Sequence, residues 1–562
     1  MDRRSFLLGA SASGAAAASG VGFWRWQDIT PTLLYPGREA GHALRDMAHT
    51  RAALPGPSAE YDADVVILGS GIAGLTTAWK LAREGFRNFI LVAGPELHGN
   101  AASGLYAVGA ESLRYPTGAH YLPLPSMEST HVREMLAAFG IITDGAITER
   151  PSFDERALVH APDERLFVDG RWQEGLVPGG DVAGQGRSEG RSESDRFFAL
   201  IETLRVARGA DGRKVFAIPV AAASADPVWT ALDRISFSAW LARENFVDPA
   251  LHWYLDYCCR DDYGANAAQV SAWAGLHFFA ARNGQAANAE RGAVLTWPGG
   301  LAALATRLER AAFAMPSAAP SAATRGMTPR LIAGTAVSLR HVAGGVEASC
   351  VSAGPVASNF IVRARRAVSA MPLHVAAHVV DSMLADGYDT VLHAQPVASW
   401  MVANFMMNRF PEEEPGAELA WDNVLYGSDG LGYVVSTHQD IRVAPAAQTV
   451  FTAYRALADL APDAARRWLQ DASPSEIGEL AARELRTVYG WRFAPCVARV
   501  EITLRGHAMA TPAPGTLANA GLRALQAADG AVLYAHSDLS GYSVFEEAAW
   551  WGWRAAEKIL AG

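Results

Sequence analysis

The sequence has few cysteines, few lysines and no cluster of basic residues. Four cysteines in 562 residues are too few for a disulfide framework, and none has the spacing of zinc ligands, so no metal site is expected. The net charge is −10, and no basic stripe could neutralise a phosphate backbone. The composition therefore argues against a metalloprotein and against nucleic acid as a partner.

Charged residues are also scarce, at 19% of the chain, while hydrophobic residues make up 50%. This balance is typical of a compact globular protein, and a length of 562 residues predicts two domains rather than one. Downstream of the N-terminus, no uncharged hydrophobic run is long enough to cross a membrane. Membrane contact is thus expected only through the N-terminal segment, if that segment is left uncleaved.

The N-terminus resembles a twin-arginine export signal. Arg3 and Arg4 precede a serine, a phenylalanine and two leucines, and no further charge occurs until Arg25. We therefore predict a signal segment at residues 1–26, recognition by the twin-arginine export machinery, and a periplasmic or exported protein. The alternative is an alanine-rich tail that begins with two arginines by chance. Residues 27–59 are predicted to form a linker or wrapping arm.

A βαβ unit follows, with a glycine-rich turn at its centre. Residues 64–68 and 89–92 are predicted strands, and residues 75–83 are a predicted helix. In the turn, one glycine permits the sharp bend, the next lets the backbone approach a pyrophosphate, and the third lets the helix pack on the strand. The helix N-terminus adds amide donors and a positive dipole. We therefore predict a dinucleotide site at Gly69, Ser70, Gly71, Ile72, Ala73 and Gly74.

One residue of the dinucleotide pattern is missing. The second strand normally ends in an acidic residue that holds the adenosine ribose, but Val92, Ala93 and Gly94 occupy those positions here. Glu96, just beyond, is a candidate replacement from the loop. The identity of the ribose-binding residue is left open.

Four separated blocks resemble the flavin-containing amine oxidase superfamily, which includes phytoene desaturases and protoporphyrinogen oxidases. They are the glycine turn with Gly99-Asn100 after it, residues 297–301 with the following helix, residues 363–372, and the C-terminal strand with residues 538–556. The resemblance implies an α/β fold in which a Rossmann-like FAD/NAD(P)-binding domain is interleaved with an α+β substrate domain. It also implies that FAD is held by Gly99, Asn100, Val337, Asp538 and Phe545.

The same resemblance predicts how the two domains alternate along the chain. The FAD-binding domain is expected at residues 60–115, 268–372 and 520–562, and the substrate domain at residues 116–267 and 373–519. The C-terminal block contains no cysteine that could form a thioether to the flavin. We therefore expect FAD to be bound non-covalently.

Candidate catalytic residues lie in runs that resemble a bacterial subgroup of these oxidoreductases: residues 114–123, 257–264, 421–424, 431–434, 506–509 and 535–547. The superfamily topology places the first run over the flavin and residues 506–507 opposite it. We expect His120 or His507 to accept a proton or orient the substrate, Tyr121 to form an aromatic wall, and Asp261 or Asp262 to select an ammonium group. Either histidine could instead be an ordinary buried residue.

These features predict an FAD-dependent oxidoreductase that takes a hydride from a carbon bearing an amine, with polyamines among the candidates, and passes electrons to oxygen or a quinone. The lysine that many superfamily members place beside the flavin has no candidate among Lys80, Lys214 and Lys558. A desaturase or dehydrogenase acting on a lipophilic, non-amine substrate is the main alternative. A binding protein that keeps the fold without catalysis is the second.

Overall fold

A computed structural model of the chain describes residues 26, 28–50, 56–109, 111–178, 189–314, 328–353, 358–444 and 446–562. Most of the predicted signal segment, residues 1–25, lies outside this part. Within the described ranges, no helix combines the length and the hydropathy needed to cross a bilayer.

The secondary-structure elements alternate along the whole described chain. The strands are β1 (Thr32–Leu34), β2 (Ala59–Leu68), β3 (Phe89–Val92), β4 (Ser103–Val108), β5 (Glu111–Pro116), β6 (Tyr121–Pro123), β7 (Ile142–Asp144), β8 (Ser152–Phe153), β9 (Glu164–Val168), β10 (Arg171–Glu174), β11 (Val294–Thr296), β12 (Arg330–Ile332), β13 (Gly334–Val342), β14 (Gly345–Ser352), β15 (Asn359–Ser369), β16 (Val397–Met407), β17 (Asp422–Leu425), β18 (Tyr433–Val435), β19 (Thr449–Ala456), β20 (Val497–Ala510) and β21 (Val532–Tyr534). The helices are α1 (Arg38–Thr50), α2 (Ile72–Arg83), α3 (Thr130–Ala138), α4 (Glu189–Val206), α5 (Pro227–Thr230), α6 (Phe237–Arg243), α7 (Pro249–Tyr263), α8 (Ala272–Ala281), α9 (Ala302–Phe313), α10 (Leu373–Val379), α11 (Thr390–His393), α12 (Pro462–Asp471), α13 (Pro474–Ala481), α14 (Arg483–Tyr489), α15 (Ala520–Ala527) and α16 (Phe545–Ala561).

The first sheet has the strand order β12-β3-β2-β15-β14-β13, with β21 beside the end of β15. The pairs β12/β3, β3/β2, β2/β15 and β15/β21 are parallel, whereas β13, β14 and β15 form an antiparallel meander. A parallel sheet needs both faces covered, which explains the unbroken apolar run Val65–Leu68 in β2. Helices α9 and α16 both pack against α2 to supply this cover.

The second sheet has the order β1-β20-β16-β19-β18-β17-β9-β10. It is mainly antiparallel, but β1 runs parallel to β20 and β17 runs parallel to β9. One hydrophobic cluster joins this sheet to α6, α7 and α8, and another joins it to α12, α13 and α14. The sheet is therefore covered by helices on both sides.

Two segments pack with the second sheet although the sequence-based domain limits place them outside the substrate domain. β1, from the predicted linker 27–59, is an edge strand of the second sheet. Helix α8, from the predicted FAD-binding segment 268–372, packs with α6 and α7 in the hydrophobic cluster of the second sheet. The predicted domain limits otherwise remain predictions.

Candidate active site

The turn after β2 depends on glycine at two positions. Gly69 has a φ of +115°, and a Cβ there would come within 2.8 Å of the Ala370 carbonyl oxygen. A Cβ on Gly74 would lie 1.9 Å from the Gly69 carbonyl oxygen. The turn can therefore form only without side chains at these positions.

The middle glycine of the turn, Gly71, faces open space. A Cβ on Gly71 would meet nothing within 4 Å, and its φ of −66° is accessible to any residue. Gly71 precedes α2, whose N-terminus has no side-chain cap, so the first amides of the helix are available to an anion. Gly99 lies beside it, because a Cβ on Gly99 would be 3.6 Å from the Gly71 Cα. This arrangement fits a pyrophosphate.

The other predicted residues of the two turns have different contacts. The Ser70 hydroxyl donates to the Ala93 carbonyl at 2.6 Å, so its side chain is turned toward β3. The backbone of Ile72 and Ala73 forms the first turn of α2. The Asn100 side chain donates to the Ala508 carbonyl of β20 at 2.8 Å. Asn100 therefore links the cofactor loop to the second sheet.

Asp538 lies close to the glycine turn, as the resemblance predicts. Its carboxylate accepts the Leu373 amide at 2.9 Å and lies 3.1 Å from His536 Nδ1. Burial raises the pKa of Asp538, but His536 and the Leu373 amide outweigh burial and hold it below the usual value. Because Gly69 contacts Ala370 and Asp538 contacts Leu373, both sites flank one four-residue segment.

The last two predicted cofactor residues, Val337 and Phe545, lie in the hydrophobic core around the first sheet. Phe545 is buried at the start of α16, whose N-terminus has no side-chain cap. Val337 is partly buried in β13, where the pairing with β14 shifts by one residue. In the described part of the chain neither residue forms a hydrogen bond with the glycine turn. Their cofactor roles remain predictions.

Helix α7 carries the two predicted acidic residues in its last turn. The Asp248 side chain caps its N-terminus by accepting the Leu251 amide, and Gly264 ends it with a φ of +65°. Arg260 fixes the helix to the second sheet by donating to the Asp429 carbonyl at 2.8 Å. Asp261 and Asp262 are thereby held in defined positions.

Asp261 is hydrogen-bonded to one member of a group of packed aromatic rings. The Tyr121 hydroxyl donates to its carboxylate at 2.9 Å. The His120 ring stacks on Tyr454 with centroids 4.3 Å apart, and the Trp421 centroid is 5.6 Å from it. We call Asp261, Asp422 and the rings of His120, Tyr121, Trp421 and Tyr454 the acidic cage.

Asp262 has a different electrostatic environment from Asp261. Its carboxylate forms a buried ion pair with Arg282, whose guanidinium also donates to the Tyr121 hydroxyl at 3.4 Å. Among the described residues, no basic side chain forms an ion pair with Asp261. The charge of Asp262 is therefore compensated by direct contact, whereas Asp261 has Tyr121 as its hydrogen-bond donor and experiences the charge of Arg282 without an ion-pair contact.

The second carboxylate of the acidic cage, Asp422, has an acidic neighbour in register. Strands β17 and β9 pair so that Asp422 lies directly opposite Glu164. One residue on, Arg165 donates to the Asn423 side chain at 2.5 Å and to Glu413 at 2.8 Å, which fixes this register. Two carboxylates placed side by side repel each other unless a proton or a cation lies between them.

Burial controls the protonation of the acidic cage. Loss of hydration, reinforced by Asp262, raises the pKa of Asp261 to about 6. Burial and the charges of Asp261 and Glu164 raise the pKa of Asp422 well above its usual value. Burial lowers the pKa of His120 to about 3, so its imidazole is neutral near neutral pH and is a poor general base.

The ring of His507 contacts His374 and not the residues of the acidic cage. Its exposed ring stacks on His374, the second residue of α10, with centroids 4.6 Å apart. The structure thus brings His120, Tyr121 and Asp261 together, and Arg282 links Asp262 to them. His507, in β20, lies beside the start of α10 instead.

The lysines and cysteines do not contribute to the acidic cage. Lys80 binds Glu84 at 2.7 Å, Lys214 binds Glu128 at 3.0 Å, and Lys558 donates to the Ala528 carbonyl at 2.6 Å. All four cysteines are buried. In the described ranges, no group of three or more His, Cys, Asp or Glu side chains is arranged to hold a metal ion.

Three important residues were not assigned a role from the sequence: Asp422, Tyr454 and Arg282. Asp422 lies in the run 421–424 that resembles the bacterial subgroup, so a sequence signal existed without a function attached to it. Tyr454 and Arg282 carry no local signal, because strand pairing and helix packing alone bring them to Tyr121 and His120.

Comparisons with known proteins agree with this architecture. A sequence model of the NAD(P)-binding Rossmann-like domain matches residues 67–139. A redesigned putrescine oxidase has a TM-score of 0.58 at 14% identity, over 90% of this chain and 100% of its own. Putrescine oxidase bound to putrescine has a TM-score of 0.57 at 14% identity, with the same coverage. Cyclohexylamine oxidase from Brevibacterium oxydans has a TM-score of 0.56 at 18% identity, over 89% of this chain and 99% of its own.

No curated protein sequence matches the chain significantly. The solved structures nevertheless align along nearly the whole length of both chains. The chain therefore has the two-domain fold of the amine oxidases, and the predicted α/β fold class is confirmed.

Proposed function

We propose that the protein is an FAD-dependent oxidoreductase that removes a hydride from a carbon bearing a cationic amine. The observation that carries this proposal is the acidic cage, in which Asp261 forms no ion pair among the described residues and is hydrogen-bonded to Tyr121, one of a group of packed rings. A carboxylate and aromatic faces are the two groups that bind ammonium ions in proteins. The fold shared with putrescine oxidase and cyclohexylamine oxidase supports the same chemistry.

The residues around the glycine turn fit FAD. The open space above Gly71 and the uncapped amides of α2 suit the pyrophosphate. Asp538, held by the Leu373 amide, is placed to accept a ribityl hydroxyl. The uncapped N-terminus of α16 suits the electron-rich edge of the pyrimidine ring. When bound, FAD would supply the hydride acceptor.

The acidic cage would bind the amine and receive its proton. Asp261 would attract the ammonium group, and the rings of His120 and Tyr454 would orient it. An ammonium nitrogen has no free electron pair, so it must lose a proton before its carbon releases a hydride. Asp261, with a pKa of about 6, is suited to accept that proton, and Tyr121 holds the carboxylate in place. Loss of one proton and one hydride leaves an iminium product.

Asp422 and Glu164 support a substrate with more than one ammonium group. They lie side by side in β17 and β9, and Asp163, next to Glu164, is exposed. A second ammonium ion between Asp422 and Glu164 would remove their repulsion. We therefore place diamines and polyamines first among the candidate substrates.

Anaerobic flavin reduction tests the proposal directly. The purified protein would be mixed with putrescine, spermidine, cyclohexylamine or a neutral unsaturated lipid precursor while the yellow flavin absorbance is recorded. Bleaching by the amines supports the proposal. Bleaching by the lipid alone would favour the desaturase alternative, and a colourless preparation that takes up no FAD would favour a binding protein. Reoxidation by oxygen or by a soluble quinone would then identify the electron acceptor.

We also propose that the N-terminal segment exports the folded protein through the twin-arginine route. The support is the Arg3-Arg4 pair and the apolar stretch that follows it. Cell fractionation would compare the protein with an Arg3→Lys, Arg4→Lys variant, which keeps the charge but alters the motif. Retention of the variant in the cytoplasm is expected, and equal export of both proteins would contradict the proposal.

A further inference from the structure

We propose that residues 35–46, here called the strap, form the outer wall of the dinucleotide site and control release of the cofactor. The proposal rests on the proposed function only in assuming that the dinucleotide is FAD. It concerns how fast the cofactor is released, rather than the reaction. The strap is anchored in both sheets.

The first attachment of the strap is to the second sheet. β1 pairs in parallel with β20, with Thr32 opposite Glu501 and Leu34 opposite Thr503. Leu33 and Tyr35 pack against the hydrophobic cluster of that sheet. The strap therefore leaves the second sheet beside Arg505, two residues beyond Thr503.

The second attachment is to the first sheet. Leu44 of α1 is only 7% exposed and belongs to the hydrophobic core around β2, β3 and α2. Helix α1 also packs against α10, which begins directly after β15 and Pro372. The strap thus has one hydrophobic anchor in each of the two sheets.

Between its anchors, the strap crosses the edge of the first sheet that binds nucleotides in this fold. Gly37 contacts Pro95, three residues beyond the end of β3, since a Cβ on Gly37 would be 3.3 Å from the Pro95 Cγ. Helix α10 follows β15, and β2 lies between β3 and β15. The strap contacts the loop after β3 and the helix after β15. It therefore passes the turn after β2, the strand between them, and this turn contains Gly69 to Gly74. The carboxyl edge of these strands is where a dinucleotide lies.

This chain has a reason to need such a wall. The acidic residue that normally grips the adenosine ribose is absent from Val92–Gly94, and the Glu96 carboxylate is bound to Arg505 by two hydrogen bonds of 2.7 and 2.9 Å. A cofactor with a weaker polar hold dissociates faster unless something covers it. The strap also carries polar residues, Arg38, Glu39 and His42, of which Arg38 lies over the Tyr35 ring at 3.6 Å.

A reversible disulfide provides the decisive test. In a Gly37→Cys, Pro95→Cys variant, the two Cβ atoms would be about 4.0 Å apart, within the range that a disulfide requires. The four native cysteines are buried, so oxidation would be confined to the new pair. The variant would be loaded with FAD while reduced and then oxidised, and released FAD would be followed by its fluorescence. The matched control is Gly37→Cys alone, which places the same side chain at the left-handed position, φ +73°, without a disulfide partner.

We expect oxidation to slow FAD release by about tenfold or more and to block FAD uptake by the oxidised apoprotein. Dithiothreitol should reverse both effects, and the control should not respond to oxidation. Release and uptake that do not depend on oxidation would overturn the proposal. If FAD binds in neither redox state while the native protein binds it, the strap is not a wall around an intact site. A native protein that binds no FAD would instead refute the proposed function, and with it this inference.

A second variant does not depend on disulfide formation. Leu44→Ala should weaken the anchor in the first sheet and speed FAD release by about fivefold, with little change in the flavin spectrum. The matched control is Leu384→Ala, because Leu384 is 69% exposed and lies outside the strap. Equal release from both variants would contradict a controlling role for the strap.

Discussion

Arg505 of β20 binds Glu96 of the loop after β3 through two parallel hydrogen bonds, across the junction of the two sheets. The guanidinium is nearly buried, with 9% of its side chain exposed, and it also donates to the Thr117 carbonyl. The Glu96 carboxylate, the sequence-based candidate for holding the ribose, is therefore already occupied by an arginine. Its role in this structure is to join the cofactor loop to the second sheet.

Replacing Glu96 should affect stability more than cofactor binding. Glu96→Gln leaves the Arg505 charge buried without a counter-ion, which should lower the free energy of unfolding by roughly 2–4 kcal/mol. FAD affinity should change by less than about threefold. Urea unfolding and FAD titration measure the two quantities, with the exposed Glu412→Gln as control. A large loss of FAD affinity with normal stability would place Glu96 on the adenosine after all.

The glycine turn offers a pair of substitutions with opposite expected effects. Gly71→Ala meets no protein atom, so folding should be preserved while FAD affinity falls by about tenfold or more, because the methyl group occupies the pyrophosphate space. Gly74→Ala would clash with the Gly69 carbonyl and should destabilise the fold itself. Thermal unfolding of the apoproteins and FAD titration distinguish the two. Normal FAD affinity in Gly71→Ala would argue against the assigned site.

Removing the uncompensated carboxylate should weaken binding of the cationic substrate. Asp261→Asn is expected to raise the amine KM by about tenfold to a hundredfold, because it removes a charge-assisted contact of roughly 1.5–3 kcal/mol. FAD affinity should stay unchanged. Asp144→Asn, at an exposed site in β7, is the matched control. An unchanged KM in the first variant would mean that the amine binds elsewhere.

The raised pKa of Asp261 predicts a pH dependence. Since the carboxylate loses its charge as the pH falls through about 6, the amine KM should rise below that pH. Simple amines remain cationic over this range, so the effect belongs to the protein. Steady-state kinetics from about pH 5 to about pH 8 measure it, and the dependence should be lost in Asp261→Asn. A KM that rises instead toward high pH would exclude Asp261 as the titrating group.

The Asp262–Arg282 ion pair should be required for stability rather than for charge recognition. Arg282→Met leaves the Asp262 carboxylate buried and uncompensated, at an expected cost of roughly 3–5 kcal/mol in unfolding free energy. The double variant Arg282→Met, Asp262→Asn should recover part of this loss, since no buried charge remains. Chemical unfolding of the native protein, the single variants Arg282→Met and Asp262→Asn, and the double variant gives the coupling energy, and additive effects would show that the pair is not coupled.

The cofactor half of the molecule was largely predictable because its signals are local. The predicted strand 89–92 matches β3, and the predicted strand 64–68 is the buried end of β2. The predicted helix 75–83 begins at Ile72 instead, since Gly74, the last glycine of the motif, belongs to the first turn of the helix. Glycine spacing and an apolar run are sufficient for such predictions.

The acidic cage was only partly predictable because its parts come from distant segments. Tyr121 and Asp261 were named, but their hydrogen bond joins residues 140 positions apart. Asp422 faces Glu164 only because β17 pairs with β9 in one particular register, which Arg165 and Asn423 fix. The place of His507 opposite the flavin, taken from the resemblance, stays a prediction; its ring stacks on His374, which follows Leu373, the residue that binds Asp538. Side-chain position in such cases depends on strand pairing that no local spacing encodes.

The central place of β15 has a consequence for biosynthesis. Its carboxyl half pairs with both β2 and β21, and α16 packs on α2 so closely that a Cβ on Gly552 would touch the Ala73 carbonyl. The phosphate turn, made early by the ribosome, therefore acquires its supporting neighbours only when residues near 550 have emerged. FAD uptake, as proposed above, would therefore follow the synthesis of β21 and α16, and a nascent chain stalled before β21 should retain no flavin.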